Sequence, residues 1–349
     1  MMGAEGIAVS HRVRRPSVLP IQIPVPLPLL FVNSYRLGPE EGPWLLVDVG
    51  MDTEPARMAF RAHWNRYGRD AYQAVFLTHY HPDHTGLSGW IADELGVPVT
   101  MLADERDLTY RVFGPGGRAG DRVGDYFRDH GVPTAQNVRI LENHNDSETY
   151  IHLPDSMLGL TPGHVFRLGE ESWTILKAAG HTPSQGLPYR ADDGTLLGGD
   201  QILPRITPNI SRWPGEPHDP LRLYLDSLRE LRRLPLRVVW PAHGPRIDAP
   251  HARIDEILQH HADRLDVMAA VLRQGPKTAY EVARAVFRPD LSPHEWRFAV
   301  GESLAHLVHL EALGRVEKLP GGPPYRFGVP GSREGRSLTP AAPRPGCES

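Results

Sequence analysis

Cysteine is nearly absent from this chain of 349 residues: Cys347 stands alone, in a Pro/Gly-rich stretch near the C-terminus. A lone thiol excludes an internal disulfide framework, points to a reducing compartment and argues against covalent cysteine catalysis. Lysine is scarce as well, with only Lys177, Lys277 and Lys318, so almost all basic residues are arginine. No run of about 20 apolar residues occurs, which excludes a transmembrane helix. The most apolar N-terminal stretch, Ile21 to Val32, is broken by Pro24, Pro26 and Pro28 and lacks a small-residue cleavage signature, so no signal peptide is expected and the expected location is cytoplasmic. A strong net charge is also missing: 38 Lys+Arg against 42 Asp+Glu give −4, which argues against a whole-protein affinity for nucleic acid or membrane. What is present is a globular composition, 40% hydrophobic, able to bury a substantial core, and a length that fits two domains.

The densest chemistry lies in Thr78-His79-Tyr80-His81-Pro82-Asp83-His84-Thr85-Gly86, directly after the strand-like Ala74-Val75-Phe76-Leu77. Imidazole and carboxylate are ligands that suit zinc and related divalent ions. In an extended segment, residues i and i+2 point the same way, so His79 and His81 can grip one ion together. Pro82 then starts a bend, and the helical apolar spacing of Gly86 to Leu95 puts Asp83 and His84 near a helix N-terminus, facing a second ion. Four ligands cannot close two metal shells. Three later positions supply more, each after a short apolar run and beside Gly or Pro: His181 in Gly180-His181-Thr182-Pro183, Asp200 in Gly198-Gly199-Asp200, and His243 in Pro241-Ala242-His243-Gly244. The chain holds 18 histidines, so those without such a context, among them His63, His130, His261, His294, His306 and His309, are read as surface or core residues.

In this ligand set and its order, the first 245 residues or so resemble the metallo-β-lactamase superfamily. The resemblance implies that His79, His81 and His181 hold one metal, that Asp83, His84 and His243 hold the second, and that Asp200 bridges both. Trp44-Leu45-Leu46-Val47-Asp48-Val49-Gly50 matches the family's early strand ending in Asp-x-Gly, so Asp48 is expected to orient a ligand histidine. One departure stands out. Hydrolytic relatives often read Gly-His-Thr-Pro-Gly-His at the third motif, whereas here Ser184-Gln185 follows Pro183. The implied cofactors are two divalent ions, zinc foremost, with iron or manganese as alternatives. Such ions, about 3.5–4 Å apart, share a water and yield hydroxide at neutral pH. Asp83 is then the residue that orients the nucleophile or shuttles its proton. In the segment after Asp200, Arg205 and Arg212 are candidates to hold a substrate carboxylate or phosphate.

The expected fold is a four-layer αβ/βα sandwich over residues 17–249, after a loose arm at 1–16. Residues 104–155 form an insertion containing the turn Gly114 to Gly117 and a helix around Val123 to His130, placed to cap the site. After Pro250 the pattern becomes helical, from Ala252 to Leu272, from Thr278 with a capping box to Glu281, and from Pro293 to Leu313. A hairpin follows, so residues 250–330 resemble the winged helix appended to some β-lactamase-like ribonucleases and thioesterases, ahead of a disordered tail at 331–349. Residues 251–329 hold ten Arg/Lys and ten Asp/Glu, and the third helix offers only Arg297 against Glu295, Glu302 and Glu311. A groove-reading helix needs more positive charge, so packing, walling of the cleft or homodimerisation is the expected role. The leading expectation is a hydrolase of a small acyl ester or thioester, of the hydroxyacylglutathione-hydrolase-like kind. A single-strand endoribonuclease or phosphodiesterase and a non-enzymatic metal-binding regulatory protein are the alternatives.

Overall fold

A computed structural model describes residues 17–26, 30–114, 123–214 and 217–331, without the side chains of residues 143–148. The arm expected at 1–16, all but the first residue of the tail, Cys347 and most of the Gly114–Gly117 turn lie outside the described residues. The chain opens with β1 (Val18–Pro24), β2 (Phe31–Leu37), β3 (Trp44–Val47), α1 (Glu54–Tyr67), β4 (Tyr72–Leu77), the one-turn α2 (Pro82–Thr85), α3 (Ser88–Leu95) and β5 (Val99–Leu102). The insertion follows as α4 (Ala103–Phe113), α5 (Val123–Asp129) and α6 (Thr134–Glu148). Then come β6 (Leu158–Leu160), β7 (Val165–Leu168), β8 (Glu171–Ala178), β9 (Gln185–Arg190), β10 (Thr195–Gly199), α7 (Pro220–Arg232) and β11 (Val238–Pro241). The C-terminal part is α8 (Pro250–Leu272), α9 (Ala279–Val286), α10 (Pro293–Ala312), β12 (Glu317–Lys318) and β13 (Phe327–Gly328). Among the described residues, no helix is long and apolar enough to cross a membrane.

Strands β1 to β6 form one sheet in sequence order, and β11-β10-β9-β8-β7 form a second. The pairs β3/β4, β4/β5, β5/β6 and β10/β11 are parallel. Strands buried on both faces read as continuous apolar runs rather than as alternation. In β4, Ala74 and Phe76 point into the core between the sheets, while Val75 and Leu77 point outward under α1 and α3. The first sheet is covered by Phe60 and Trp64 of α1 and by Trp90 and Ile91 of α3. The second is covered by Leu221, Tyr224, Leu225 and Leu228 of α7. The result is helix, sheet, sheet, helix: the four-layer αβ/βα sandwich, followed by a C-terminal region of three helices and a hairpin.

Two features differ from the sequence expectation. Pro82, at the first turn of α2, starts a helix at once, so Asp83 and His84 sit inside a short helical turn rather than ahead of a longer one. The insertion holds three helices instead of one, and Val123, Phe127, Val132 and Ile140 pack against Trp296, Ala299 and Val300 of α10. The capping box at Thr278 and Glu281 is present, and α10 carries a second one at Ser292 and Glu295.

Candidate metal centre

The strands deliver the chemistry. His79 and His81 follow β4, His181 follows β8, Asp200 follows β10 and His243 follows β11, so all stand at strand C-terminal ends, with Asp83 and His84 in α2. Gly180 lets the His181 loop reach α7, because at its φ of +117° a Cβ would lie 2.5 Å from Tyr224 Cα.

The seven side chains converge as two overlapping groups. His81 Nδ1 lies 3.0 Å from both His79 Nε2 and His181 Nε2, and His181 Nε2 lies 3.4 Å from Asp200 Oδ2. On the other side, His243 Nε2 lies 3.3 Å from Asp83 Oδ2 and 3.5 Å from Asp200 Oδ1. His84 Nε2 completes that group, 3.6 Å from Asp200 Oδ1 and 3.8 Å from Asp83 Oδ2. Asp200 therefore gives one oxygen to each group.

The outer nitrogens show why the inner ones point inward. Asp48 accepts from Thr78 N at 2.7 Å and from Thr78 Oγ1 at 2.8 Å, and its Oδ2 lies 2.8 Å from His84 Nδ1. A hydroxyl has one proton, and Thr78 gives it to Asp48. His79 Nδ1, 3.0 Å from Thr78 Oγ1, must therefore be the donor there, which leaves a lone pair on Nε2. His181 Nδ1 donates to the Asn209 carbonyl at 2.9 Å, and His243 Nδ1 to the Phe31 carbonyl at 3.0 Å. Asn33 and Tyr35 of β2 brace the His243 loop by donating to the Pro241 carbonyl at 3.1 and 2.6 Å.

The donor set fits a divalent cation. Burial holds His79 and His81 well below the usual imidazole range and lowers His181, keeping them in the neutral, ligating form. Burial works against a charge on His84, yet the carboxylates of Asp48, Asp83 and Asp200 raise it to about 10. Burial likewise opposes a charge on His243, which Asp200 and Asp83 raise to about 9. Burial would raise Asp83, but His84 and His243 hold it well below the usual carboxylate range. His84 Nε2, His243 Nε2 and Asp200 Oδ1 are buried and form no hydrogen bond among the described residues. Such orphans are expensive unless something charged satisfies them. A tetrahedron with arms of 2.0–2.1 Å has edges of about 3.3 Å, and the donor spacings above bracket that value.

The supporting roles of several residues could not be read from the sequence. Gln185, which replaces the frequent family histidine, accepts from the main-chain N–H of Asp200 at 2.9 Å. Glu105 of α4 is fully buried and ties the first motif to the third, accepting from Tyr80 N at 3.1 Å and Ser184 N at 2.7 Å; burial raises its carboxyl to about 7. The guanidinium of Arg297 lies 4.7 Å from the Phe298 ring centroid and 5.7 Å from that of Trp213, and its charge contributes to lowering His81. The two arginines singled out by sequence have other described neighbours. Arg205 is exposed and lines a separate cavity of about 280 Å³ with Arg253, Glu256 and His260. Arg212 joins α10 and α5 through its main chain, and neither guanidinium forms a described hydrogen bond or ion pair with the seven donors. His261 and His306 meet each other at 3.2 Å in the core, away from the cluster.

Residues 27–243 match a family model described as "Metallo-beta-lactamase superfamily", and residues 265–329 match one described as "Metallo-beta-lactamase-like, C-terminal domain". The chain is similar to metallo-beta-lactamase family protein TTHA1429 from Thermus thermophilus, at 32% identity and a TM-score of 0.79, covering 90% of this chain and 99% of that one. A beta-lactamase domain protein from Burkholderia ambifaria matches at 27% identity and a TM-score of 0.78, over 90% and 92% of the two chains. "Probable metallo-hydrolase YqjP" of Bacillus subtilis (strain 168) is 27% identical, over 84% of this chain and 92% of its own length.

Proposed function

Because the chain belongs to the metallo-beta-lactamase superfamily, we propose that it hydrolyses a small acyl ester or thioester, with two divalent ions, zinc foremost, held by the seven donors. The observation that carries this reading is the division of Asp200 between two histidine-rich groups whose lone pairs and orphaned atoms face one another. His79, His81 and His181 would hold one ion, and Asp83, His84 and His243 the other. When bound, such ions lower the pKa of water towards neutrality and polarise an acyl carbonyl.

The chain's own residues do the rest. Asp48, Thr78 and the carbonyls of Asn209 and Phe31 fix the imidazole rings. Asp83, whose carboxylate stands beside His243 and His84, is the residue that would orient the attacking water or shuttle its proton to the departing oxygen or sulfur. One acyl C–O or C–S bond breaks, one C–O bond forms, and the products are an acid and an alcohol or thiol.

The C-terminal region supports a small substrate rather than a nucleic acid. We read its three helices and hairpin as a winged helix used for packing. In α10, nearly every residue from Ala299 to Leu310 is buried, which leaves that stretch no face to enter a groove. The test is to assay metal-loaded protein against panels of thioesters, lactones and phosphodiesters beside a His81→Ala variant. Ester or thioester turnover lost in the variant supports the reading. Phosphodiester turnover alone overturns the substrate class, and equal turnover by the variant overturns the metal mechanism.

A further inference from the structure

Helix α10 is well made, with a capping box at its start and a long buried run, yet its middle holds Gly301, a residue that weakens a helix interior. The structure gives a reason. A Cβ on Gly301 would lie 2.5 Å from Ser211 Oγ and 2.8 Å from Ser211 Cβ, so helix and loop meet with no room for a methyl group. One turn of α10 grips this loop around that contact. Arg212 N donates to the Gly301 carbonyl at 3.2 Å, and Asn209 Nδ2 donates to the Phe298 carbonyl and to Glu302 Oε2, both at 3.4 Å. Ser211 Oγ donates to Asn209 Oδ1 within the loop, and Tyr126 of α5 secures the other side by donating to the Arg212 carbonyl at 2.6 Å. The main-chain oxygen of the gripped Asn209 is the acceptor for His181 Nδ1.

We propose that the turn Phe298–Glu302 of the C-terminal region is a positioning element of the metal centre: it fixes the Asn209 carbonyl and, through it, the direction of His181 Nε2. This inference rests on the reading that His181 holds an ion. It makes Glu302 a positioning residue, with no described hydrogen bond to a donor, and it makes α10 part of the machinery although every donor lies between residues 79 and 243. A ligand histidine that loses its outer partner turns more freely about its ring torsion, and such losses weaken metal affinity about 10–100-fold.

The test uses the full chain, with zinc titrated against a competing chelator and cobalt(II) as a spectroscopic probe. Glu302→Ala should bind zinc several-fold more weakly, short of the about 10–100-fold expected when the outer partner itself is lost, and shift the cobalt visible absorption, with far-UV circular dichroism unchanged. Glu302→Gln, which keeps an acceptor oxygen, should recover most of both. Wild-type affinity and spectrum in Glu302→Ala overturn the proposal, as does a Glu302→Gln variant as impaired as the alanine. Should Glu302→Ala fail to fold, Asn209→Ala removes the same grip while keeping the carbonyl, and wild-type zinc binding there overturns the proposal equally. Wild-type protein that binds neither metal sinks the metal-centre reading itself. Normal wild-type binding with unaffected variants sinks only the role of α10.

Discussion

The two sides of the donor cluster are built differently. On the side of the first sheet, His79, His81, Asp83 and His84 come from six consecutive residues, and the outer nitrogens of His79 and His84 are held by the side chains of Thr78 and Asp48. On the side of the second sheet, His181, Asp200 and His243 come from three separate loops. They are held by the main-chain carbonyls of Asn209 and Phe31 and by the amide of Gln185. The first side is thus a local device, sensitive to which side chain is present. The second is an assembly, sensitive to where loops lie.

The sharpest way to break this contrast is Asp200→Ala, which removes the one group common to both sides. On the proposed reading it should sharply weaken metal uptake and lower hydrolysis by more than about 100-fold, beyond the range of outer-partner changes, as read by elemental analysis and steady-state kinetics. Next comes Asp48→Ala on the local side, expected to cost about 10–100-fold in metal affinity because His84 loses the acceptor for Nδ1. On the assembled side, Gln185→Ala should act chiefly on stability. It strands the Asp200 N–H, a buried donor whose loss of partner costs about 1–3 kcal/mol, measurable by denaturant titration. The last effect, seen only as a dependence on pH, concerns Glu105, which links the two sides. Its folded carboxyl is raised from 4.5 to about 7, so the folded state binds the extra proton across that window. Stability of the wild type relative to Glu105→Gln should therefore fall as pH rises from about 5 to 7 and level off above. A flat difference between pH 5 and 8 would contradict the assignment.

The same contrast explains what was legible. The local side announces itself in consecutive residues, and Asp48 is flagged by its Asp-x-Gly setting at a strand end. Order and spacing also mark His181, Asp200 and His243, which the fold brings together. What supports them does not show. Ser184 reaches Glu105 across 79 residues, and His243 reaches Phe31 across 212. An acceptor carbonyl has no residue type, so no motif can signal Asn209 O or Phe31 O. The sandwich was expected from alternating β and α elements together with the resemblance to the superfamily, whereas two insertion helices were not. α4 leaves β5 with no intervening turn residue, and the largely polar α6 shows little apolar periodicity beyond residues such as Ile140. Helix ends marked by Pro, Gly or a capping box, as at the start of α9 and both ends of α10, were readable to within a residue or two.

The apolar core above the second sheet does not stop at residue 250. Leu187 and Leu196 of that sheet, Leu228 of α7, Ile254 and Met268 of α8, and Leu307 of α10 belong to one buried cluster. The segments matched by two separate family descriptions therefore share one cooperative fate. Heating should melt them in a single calorimetric transition, and cutting the chain near 250 would bare a greasy flank and yield aggregate instead of a trimmed, folded fragment.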